Sequence, residues 1–407
     1  MIVLRKKKFS DDAEALQIAN GTEYGLGSGL WTNNLQRAHL FAKKIKAGMC
    51  WINSYKRVNP GSPFGGVGKS ESQKTKSILV DNGFSSVLVI TTPEQEETGL
   101  MMAKQLGELA VGVYPHAVMH VPTGVADEAI QFATKKNIDC CLALGGGSTI
   151  GLAKAIALKT GIPIVAIPTT YAGSEMTTVY GLTENNLKKT GKDIKVLPKV
   201  VIYDPELSLT LPAGISASSG MNAMAHAVEA LYAQDKNPII SMMAIESIKS
   251  LSQALPKIVK NSQDIEARKQ ATYGAWLAGI CLGSVGMAIH HKLCHTLGGT
   301  YNLPHAQAHA ITLAYSAHYN RKADIQAMDQ LAQALGGQSH EQVGQLIYKL
   351  NQQLGIPLAL KDIGLPEDGP SEVARITCES PYYNPRSYER DELETLLQRA
   401  YLGLEPR

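Results

Sequence analysis

Residues 138–149 read Ile138-Asp-Cys-Cys-Leu-Ala-Leu-Gly-Gly-Gly-Ser-Thr149. An apolar run that ends in a glycine cluster is typical of a buried β-strand followed by a tight turn. The next residues, from Gly151 to Thr160, favour a helix. The segment therefore predicts a strand, a glycine turn and a helix, the unit from which parallel sheets are built.

Strand and helix patterns alternate on both sides of this unit. Alternation of this kind predicts a doubly wound parallel sheet in an α/β N-terminal domain. After Asp204 helical periodicity takes over, which predicts an all-α C-terminal domain. The other predicted strands begin at Val87 or cover 118–121, 163–167 and 199–203, and the predicted helices are 94–109, 125–136, 218–235, 239–255, 264–282, 324–335, 340–354 and 390–401.

The glycine turn itself predicts a phosphate-binding site. Glycines let an anion approach the backbone closely, and free amides at a helix start carry partial positive charge. In a parallel sheet, ligands bind at the carboxyl ends of the strands, where this turn lies. The Gly-x-Gly-x-x-Gly fingerprint of other dinucleotide sites is absent, since residue 150 is isoleucine.

Five of the eleven histidines lie within residues 289–309. His291 and His295 are four residues apart, so on a helix they project from one face. A glycine pair three residues further on favours the end of that helix, and Pro304 favours the start of another just before His305. The layout predicts imidazoles aimed at the gap between two helices, where they suit metal ligation, proton transfer or anion binding.

A second helical stretch places Asn222 and His226 four residues apart. Together with the later histidines, this outline resembles the iron-containing alcohol dehydrogenase superfamily, whose metal is held by an Asp-x-x-x-His pair and two further histidines. The resemblance implies a dehydroquinate synthase-like fold. It maps the ligand positions onto Asn222, His226, His291 and His305, and makes His295 a further histidine beside the substrate.

Asn222 stands where the superfamily has aspartate. An amide oxygen is an uncharged and weaker donor, so we expect that no metal is required; a metal, if bound, would be held by His226, His291 and His305. The same departure, within residues 219–232, resembles the maleylacetate reductase branch of the superfamily.

The resemblance also implies a nicotinamide cofactor, NADH or NADPH. The superfamily binds its dinucleotide with a Gly-Gly-Gly-Ser turn and a Pro-Thr-Thr segment one strand later, and both are present. The residues that select between the two cofactors are not located, although 91–94 are candidates. The predicted cofactor-binding residues are Gly145, Gly146, Gly147, Ser148, Thr149, Pro168, Thr169 and Thr170.

The first part of the chain has a different origin. Trp51-Ile-Asn53 and Pro63-Phe-Gly-Gly66 resemble the C-terminal part of an aldehyde dehydrogenase, over residues 20 to 70. That family's nucleophilic cysteine and general-base glutamate are missing, and Cys50 reads as a buried thiol. We predict an aldehyde-dehydrogenase-like remnant at 1–75, a dinucleotide-binding domain at 76–205 and a helical catalytic domain at 206–407. The remnant replaces the family's first strand and helix.

Composition agrees with a soluble enzyme. The chain has 407 residues, 44% of them hydrophobic and 18% charged. A net charge of +3 gives no basis for nucleic-acid or membrane binding. The six cysteines show no Cys-x-x-Cys pair, and no signal peptide is recognisable, so we expect a cytoplasmic protein. We also expect a homodimer.

The resemblance implies hydride transfer from the cofactor to the carbon–carbon double bond of maleylacetate, a dicarboxylate, giving 3-oxoadipate in the breakdown of aromatic compounds. Enolate charge on the substrate ketone needs hydrogen-bond donors, and the neighbouring carbon needs a proton. The candidate catalytic residues are Asn222, His226, His291, Lys292, His295 and His305.

Three alternatives remain open. A metal-dependent alcohol dehydrogenase of the same fold would bind iron or zinc. An inactive fusion product would keep the motifs without binding cofactor, because the family's first strand is replaced. A metal-binding or regulatory protein would leave the glycine turn and the Pro-Thr-Thr segment without a purpose.

Overall fold

The computed structural model describes residues 10–20, 28–30, 35–46, 50–52, 71–119, 121–184 and 187–407. In the N-terminal segment, strands β1 and β2 pair in parallel. Trp51, in one of the stretches that resemble an aldehyde dehydrogenase, lies in β2, whereas the other stretch, at 63–66, lies outside the described residues. The elements of this segment are α1 (Asp12–Asn20), β1 (Ser28–Leu30), α2 (Leu35–Lys44) and β2 (Cys50–Ile52).

A five-stranded parallel sheet forms the centre of the next part, in the order β4-β3-β5-β6-β9. The prediction of a doubly wound parallel sheet is confirmed. Strands β7 and β8 form a separate antiparallel hairpin, which was not predicted. The elements are α3 (Thr75–Asp81), β3 (Val87–Ile90), α4 (Glu96–Leu106), β4 (Ala110–Tyr114), α5 (Thr123–Lys135), β5 (Cys140–Gly145), α6 (Gly147–Thr160), β6 (Ile164–Pro168), β7 (Val179–Glu184), β8 (Leu187–Lys192) and β9 (Val200–Val201).

The central strands are apolar throughout because helices cover both faces of the sheet. On β3, Leu88 and Ile90 pack with residues of α5 and α6. Val87 and Val89 point the other way, into a cluster with residues of α3 and α4. Alternate side chains thus reach two different cores, so the strand sequence lacks the polar alternation of a half-exposed sheet.

Helices make up the remainder, apart from short 3₁₀ turns, and one large apolar cluster runs through them. The change from sheet to helices falls between β9 and α7, although the domain boundaries stay a prediction. The helices are α7 (Ala213–Ala230), α8 (Pro238–Lys260), α9 (Ile265–Ser284), α10 (Ile289–Tyr301), α11 (His305–Asn320), α12 (Ile325–Ala334), α13 (Val343–Gln353), α14 (Gly369–Glu379) and α15 (Arg390–Leu402).

Two predicted boundaries are wrong. The strand expected at 118–121 lies instead at β4, because Gly107, with φ of 64°, ends the preceding helix early and leaves 110–114 free to pair with β3. Helix α10 does not stop at Gly298 and Gly299. It continues to Tyr301 and ends where Asn302 adopts the left-handed conformation at φ of 51°.

Among the described helices, none alone has the length and apolar content needed to cross a membrane. Helices α9 and α10 pass that test only as a pair, bent by 95° between them.

Candidate active site

The glycine turn lies where the strand order reverses. The chain runs from β3 outward to β4, and then returns to place β5 on the other side of β3. Gly145 closes β5, and α6 begins at Gly147. Gly146, the residue that precedes the helix, has no side chain to cap it. Its first amides therefore face this crevice, the usual ligand position in open parallel sheets.

Glycine is required at two of these positions. Gly145 has φ of 155°, and a Cβ there would lie 2.4 Å from Thr149 Oγ1. A Cβ on Gly146 would lie 2.9 Å from the Thr170 methyl group. The turn is therefore packed closely against the predicted Pro-Thr-Thr segment, and only glycine fits.

The predicted cofactor residues meet at this edge of the sheet. The backbone N–H of Thr169 donates to the Gly145 carbonyl at 3.0 Å, so the two loops are directly bonded. Gln95, after β3, donates to Thr169 Oγ1 at 3.1 Å. The hydroxyls of Thr91 and Thr149 are buried and have no hydrogen-bond partner in the described part of the chain, so polar groups are available here to a ligand.

Gly151, on helix α6 after the glycine turn, has little room for a side chain. The superfamily resemblance places aspartate here in many alcohol dehydrogenases, yet a Cβ on Gly151 would lie 2.8 Å from Val121 Cγ2. Val121 itself has φ of 44°, which is rare for a β-branched residue. The space that an aspartate side chain would need is thus partly filled by valine.

The loop after β6 joins the two halves of the site. The Tyr171 N–H donates to Ser219 Oγ on α7 at 3.0 Å. One residue later, the carbonyl of Ala172 lies 3.2 Å from His226 Nε2. A Cβ on Gly173 would lie 3.2 Å from Gly279 Cα of α9. This loop therefore runs from the phosphate edge directly to the histidines.

Six imidazoles form one cluster between α7, α10 and α11. His309 is central, since its ring lies within 6.5 Å of the other five ring centroids. His295 and His305 are stacked at 6.4 Å with 16° between their planes. The prediction that imidazoles from two helices face one gap is therefore met. The members are His226, His290, His291, His295, His305 and His309.

Within the cluster, His226 and His291 are bonded to each other, with Nδ1 of the first 2.8 Å from Nε2 of the second. The Nδ1 atom of His291 lies 2.6 Å from a carboxylate oxygen of Glu229. Burial lowers the pKa of His226 to about 3, with the neighbouring His291 adding to the effect. Burial likewise lowers the pKa of His291 to about 3 and raises that of Glu229 to about 7.

A second hydrogen-bonded series in the cluster joins Ser316, His290 and His309. His290 Nδ1 is 2.9 Å from Ser316 Oγ, and its Nε2 is 3.1 Å from His309 Nδ1. All three side chains are fully buried, and His309 Nε2 has no hydrogen-bond partner among the residues that the structure describes. Burial lowers the pKa of both rings well below the usual value. The imidazole rings of His290 and His309 are therefore neutral.

The other predicted residues lie around these rings. Asn222 is buried, one turn before His226 on α7, and its Oδ1 accepts no hydrogen bond from any described residue. His295 is exposed, whereas His305 and Lys292 are half-buried. The structure thus brings the predicted histidines together and places Lys292 on the same helix as two of them, His291 and His295.

Three site residues were missed at the sequence level. Glu229 carries the one charged side chain of α7, three residues after His226 and on the same helical face. That isolated charge was a readable signal. His290 and His309 lie within the histidine-rich residues 289–309, but the sequence indicates no role for them, because their contact depends on how α10 and α11 cross.

These donors do not fit the iron site that the superfamily resemblance implies. Asn222 offers a neutral amide oxygen in place of a carboxylate. All four ring nitrogens of His226 and His291 already contact each other, Ala172 or Glu229. Another buried trio, His290, Cys294 and His309, has ligand atoms within 4.8 Å of one another, but its two rings are hydrogen-bonded to each other.

Comparison with known sequences settles the family. The profile described as iron-containing alcohol dehydrogenase matches residues 66–205, and the C-terminal profile of the same family matches 216–401. The chain belongs to the iron-containing alcohol dehydrogenase family. Residues 3–88 match the aldehyde dehydrogenase family, in agreement with the resemblance of the N-terminal segment.

Individual members of the family support a finer comparison. The maleylacetate reductase of Burkholderia cepacia is 49% identical over 324 residues, which cover 80% of this chain and 91% of the relative. The crystal structure of maleylacetate reductase from Agrobacterium tumefaciens matches with a TM-score of 0.79 at 45% identity, covering 82% of this chain and 95% of that one. Sulfoacetaldehyde reductase from Bifidobacterium kashiwanohense, solved with NAD⁺, matches with a TM-score of 0.75 at 25% identity, covering 82% and 96%.

Proposed function

We propose that the chain is a maleylacetate reductase, which transfers hydride from NADH or NADPH to the carbon–carbon double bond of maleylacetate and yields 3-oxoadipate. The observation that carries the proposal is the match to maleylacetate reductases at 48% and 49% identity, which covers 91% of each relative. The glycine turn and the histidine cluster, joined by the loop at Ala172, supply a cofactor edge and a polar reaction centre.

The chemistry asks two things of the side chains. Hydride adds to the alkene carbon farther from the ketone, and the electrons of the double bond move to the ketone oxygen as an enolate. Ring N–H groups stabilise that charge. A proton then adds to the carbon nearer the ketone, which restores the ketone and gives the saturated product. His226, His291, His295, His305 and Lys292 remain the candidates for both tasks, and His226 or His291 must exchange one of its present ring-nitrogen contacts for the substrate to perform either.

We further propose that this reaction needs no metal. Asn222 removes the acidic ligand, and His226 and His291 use their nitrogens on neighbours within the protein. A metal-dependent alcohol dehydrogenase is the second candidate, favoured by the family itself. Homodimer formation, a cytoplasmic location and a small-molecule dicarboxylate substrate stay predictions.

The first experiment measures oxidation of NADH and of NADPH by the purified full chain, with and without maleylacetate, and identifies 3-oxoadipate by mass spectrometry. We expect oxidation that depends on maleylacetate. Oxidation with simple ketones or aldehydes, and none with maleylacetate, would contradict the proposal and favour the alcohol dehydrogenase. A chain that binds neither cofactor would be an inactive fusion.

A further inference from the structure

Glu229 is a buried carboxylate that no part of the proposed chemistry yet uses. It is fully buried in α7, amid alanine, methionine and valine side chains. Burying a charge is unfavourable unless hydrogen bonds compensate for lost water. Within the described residues, the hydrogen bonds of the Glu229 carboxylate are all made at the start of one neighbouring helix, α10, and they compensate for the lost water.

Two of these contacts are with the backbone at the start of α10. The Ala288 N–H donates to Glu229 Oε2 at 2.8 Å, and the His290 N–H donates to Oε1 at 2.8 Å. Ala288 is the residue that precedes the helix and has no side chain able to cap it. Glu229, about sixty positions earlier in the chain, takes the place of the missing cap and lies at the positive end of the helix dipole.

The third contact is with a ring of the cluster. Glu229 Oε2 lies 2.6 Å from His291 Nδ1, in the range of a charge-assisted hydrogen bond. Two of the three groups around the carboxylate are backbone N–H donors, so it serves chiefly as an acceptor. The two contacts fix the orientation of the His291 ring, with Nδ1 at Glu229 and Nε2 at His226.

We propose that Glu229 is a positioning residue of the reductase: it fixes the start of α10 and the ring orientation of His291 together. His226 and Glu229 are three residues apart on α7, so one helix face carries both the His226 ring and the carboxylate that orients His291, to which His226 is bonded. Helix α10 also bears His290 and His295, so one carboxylate sets three histidines relative to the fourth. The proposal rests on the proposed function for its kinetic consequence, but not for its geometry.

The kinetic test is Glu229→Gln in the full chain. Glutamine has the same shape, but one of its terminal groups donates, so it opposes at least one of the three contacts. We expect kcat for maleylacetate to fall about 10- to 100-fold, with KM changed less than about threefold. The matched control is Ser247→Ala, which removes another buried side-chain contact between helices, from Ser247 Oγ to the Gly274 carbonyl at 2.8 Å. It should lower the melting temperature and leave kcat unchanged.

A spectroscopic test separates geometry from activity. In protein labelled with ¹⁵N in histidine, the short bond predicts a strongly deshielded proton between Glu229 Oε2 and His291 Nδ1, assigned by its loss in His291→Gln. It should disappear in folded Glu229→Gln and persist in Ser247→Ala. Absence of that proton in the unsubstituted protein would overturn the proposal, as would equal kcat in the Glu229→Gln and Ser247→Ala proteins. Because the spectrum needs no substrate, failure of the reductase assignment alone would leave this result standing.

Discussion

The glycine turn and the histidine cluster are two halves of one site, yet they are built in different ways. The turn is made of backbone: Gly145, Gly146 and the first amides of α6 form it within a few consecutive residues. The cluster is made of side chains from three helices that are far apart in sequence. A backbone site can therefore be recognised locally, whereas the cluster depends on how the helices pack.

The largest expected effect tests whether the halves act separately. His226→Ala removes one ring of the bonded pair, and we expect kcat to fall about 10²- to 10⁴-fold, as when a proton-transfer group is lost. Cofactor affinity, measured by quenching of protein fluorescence, should change little, because His226 meets the loop after β6 at Ala172 and Gly173 and not at the glycine turn itself. Equal losses in kcat and in cofactor affinity would show that the two halves are one unit.

The converse change acts on the turn. Gly145→Ala places a Cβ 2.4 Å from Thr149 Oγ1 at a φ that favours glycine, and we expect cofactor affinity to fall about 10- to 100-fold from strain and crowding. The control is Gly124→Ala in α5, where a Cβ meets nothing within 4 Å. That protein should bind cofactor normally and be slightly more stable. Normal cofactor affinity in Gly145→Ala would exclude the turn as the binding site.

The smallest effect concerns stability against pH. The pKa of His226 is lowered to about 3 in the folded protein, so its contribution to stability is present above pH 6.5 and is lost as pH falls toward 3. Glu229, with its pKa raised to about 7, acts oppositely between pH 4.5 and 7. Replacing His226 with glutamine should reduce the fall in unfolding free energy between pH 6.5 and 5 by up to about 1.4 kcal/mol per pH unit. Urea titrations at both pH values measure it, and an unchanged slope would argue against a buried neutral ring.

The same contrast explains what the sequence could predict. The alternation of strands and helices around β5, the glycine turn and the four-residue spacing of His291 and His295 are local patterns, and the structure confirms them. The bond from Glu229 to α10 and the contact between His290 and His309 are not local, since they depend on helix crossings. Strand β4 was missed because a left-handed glycine, rather than a change of hydrophobicity, ends the helix before it.

The central claim is that the histidine centre works as a hydrogen-bonded unit rather than as a metal site. The most direct measurement is maleylacetate-dependent NADH oxidation by one chelator-treated sample whose iron, zinc and other transition metals are quantified by mass spectrometry, before and after each metal is restored. We predict full turnover with metal far below one atom per chain, and no gain when metal is added. Turnover that rises in proportion to bound iron or zinc would contradict the account.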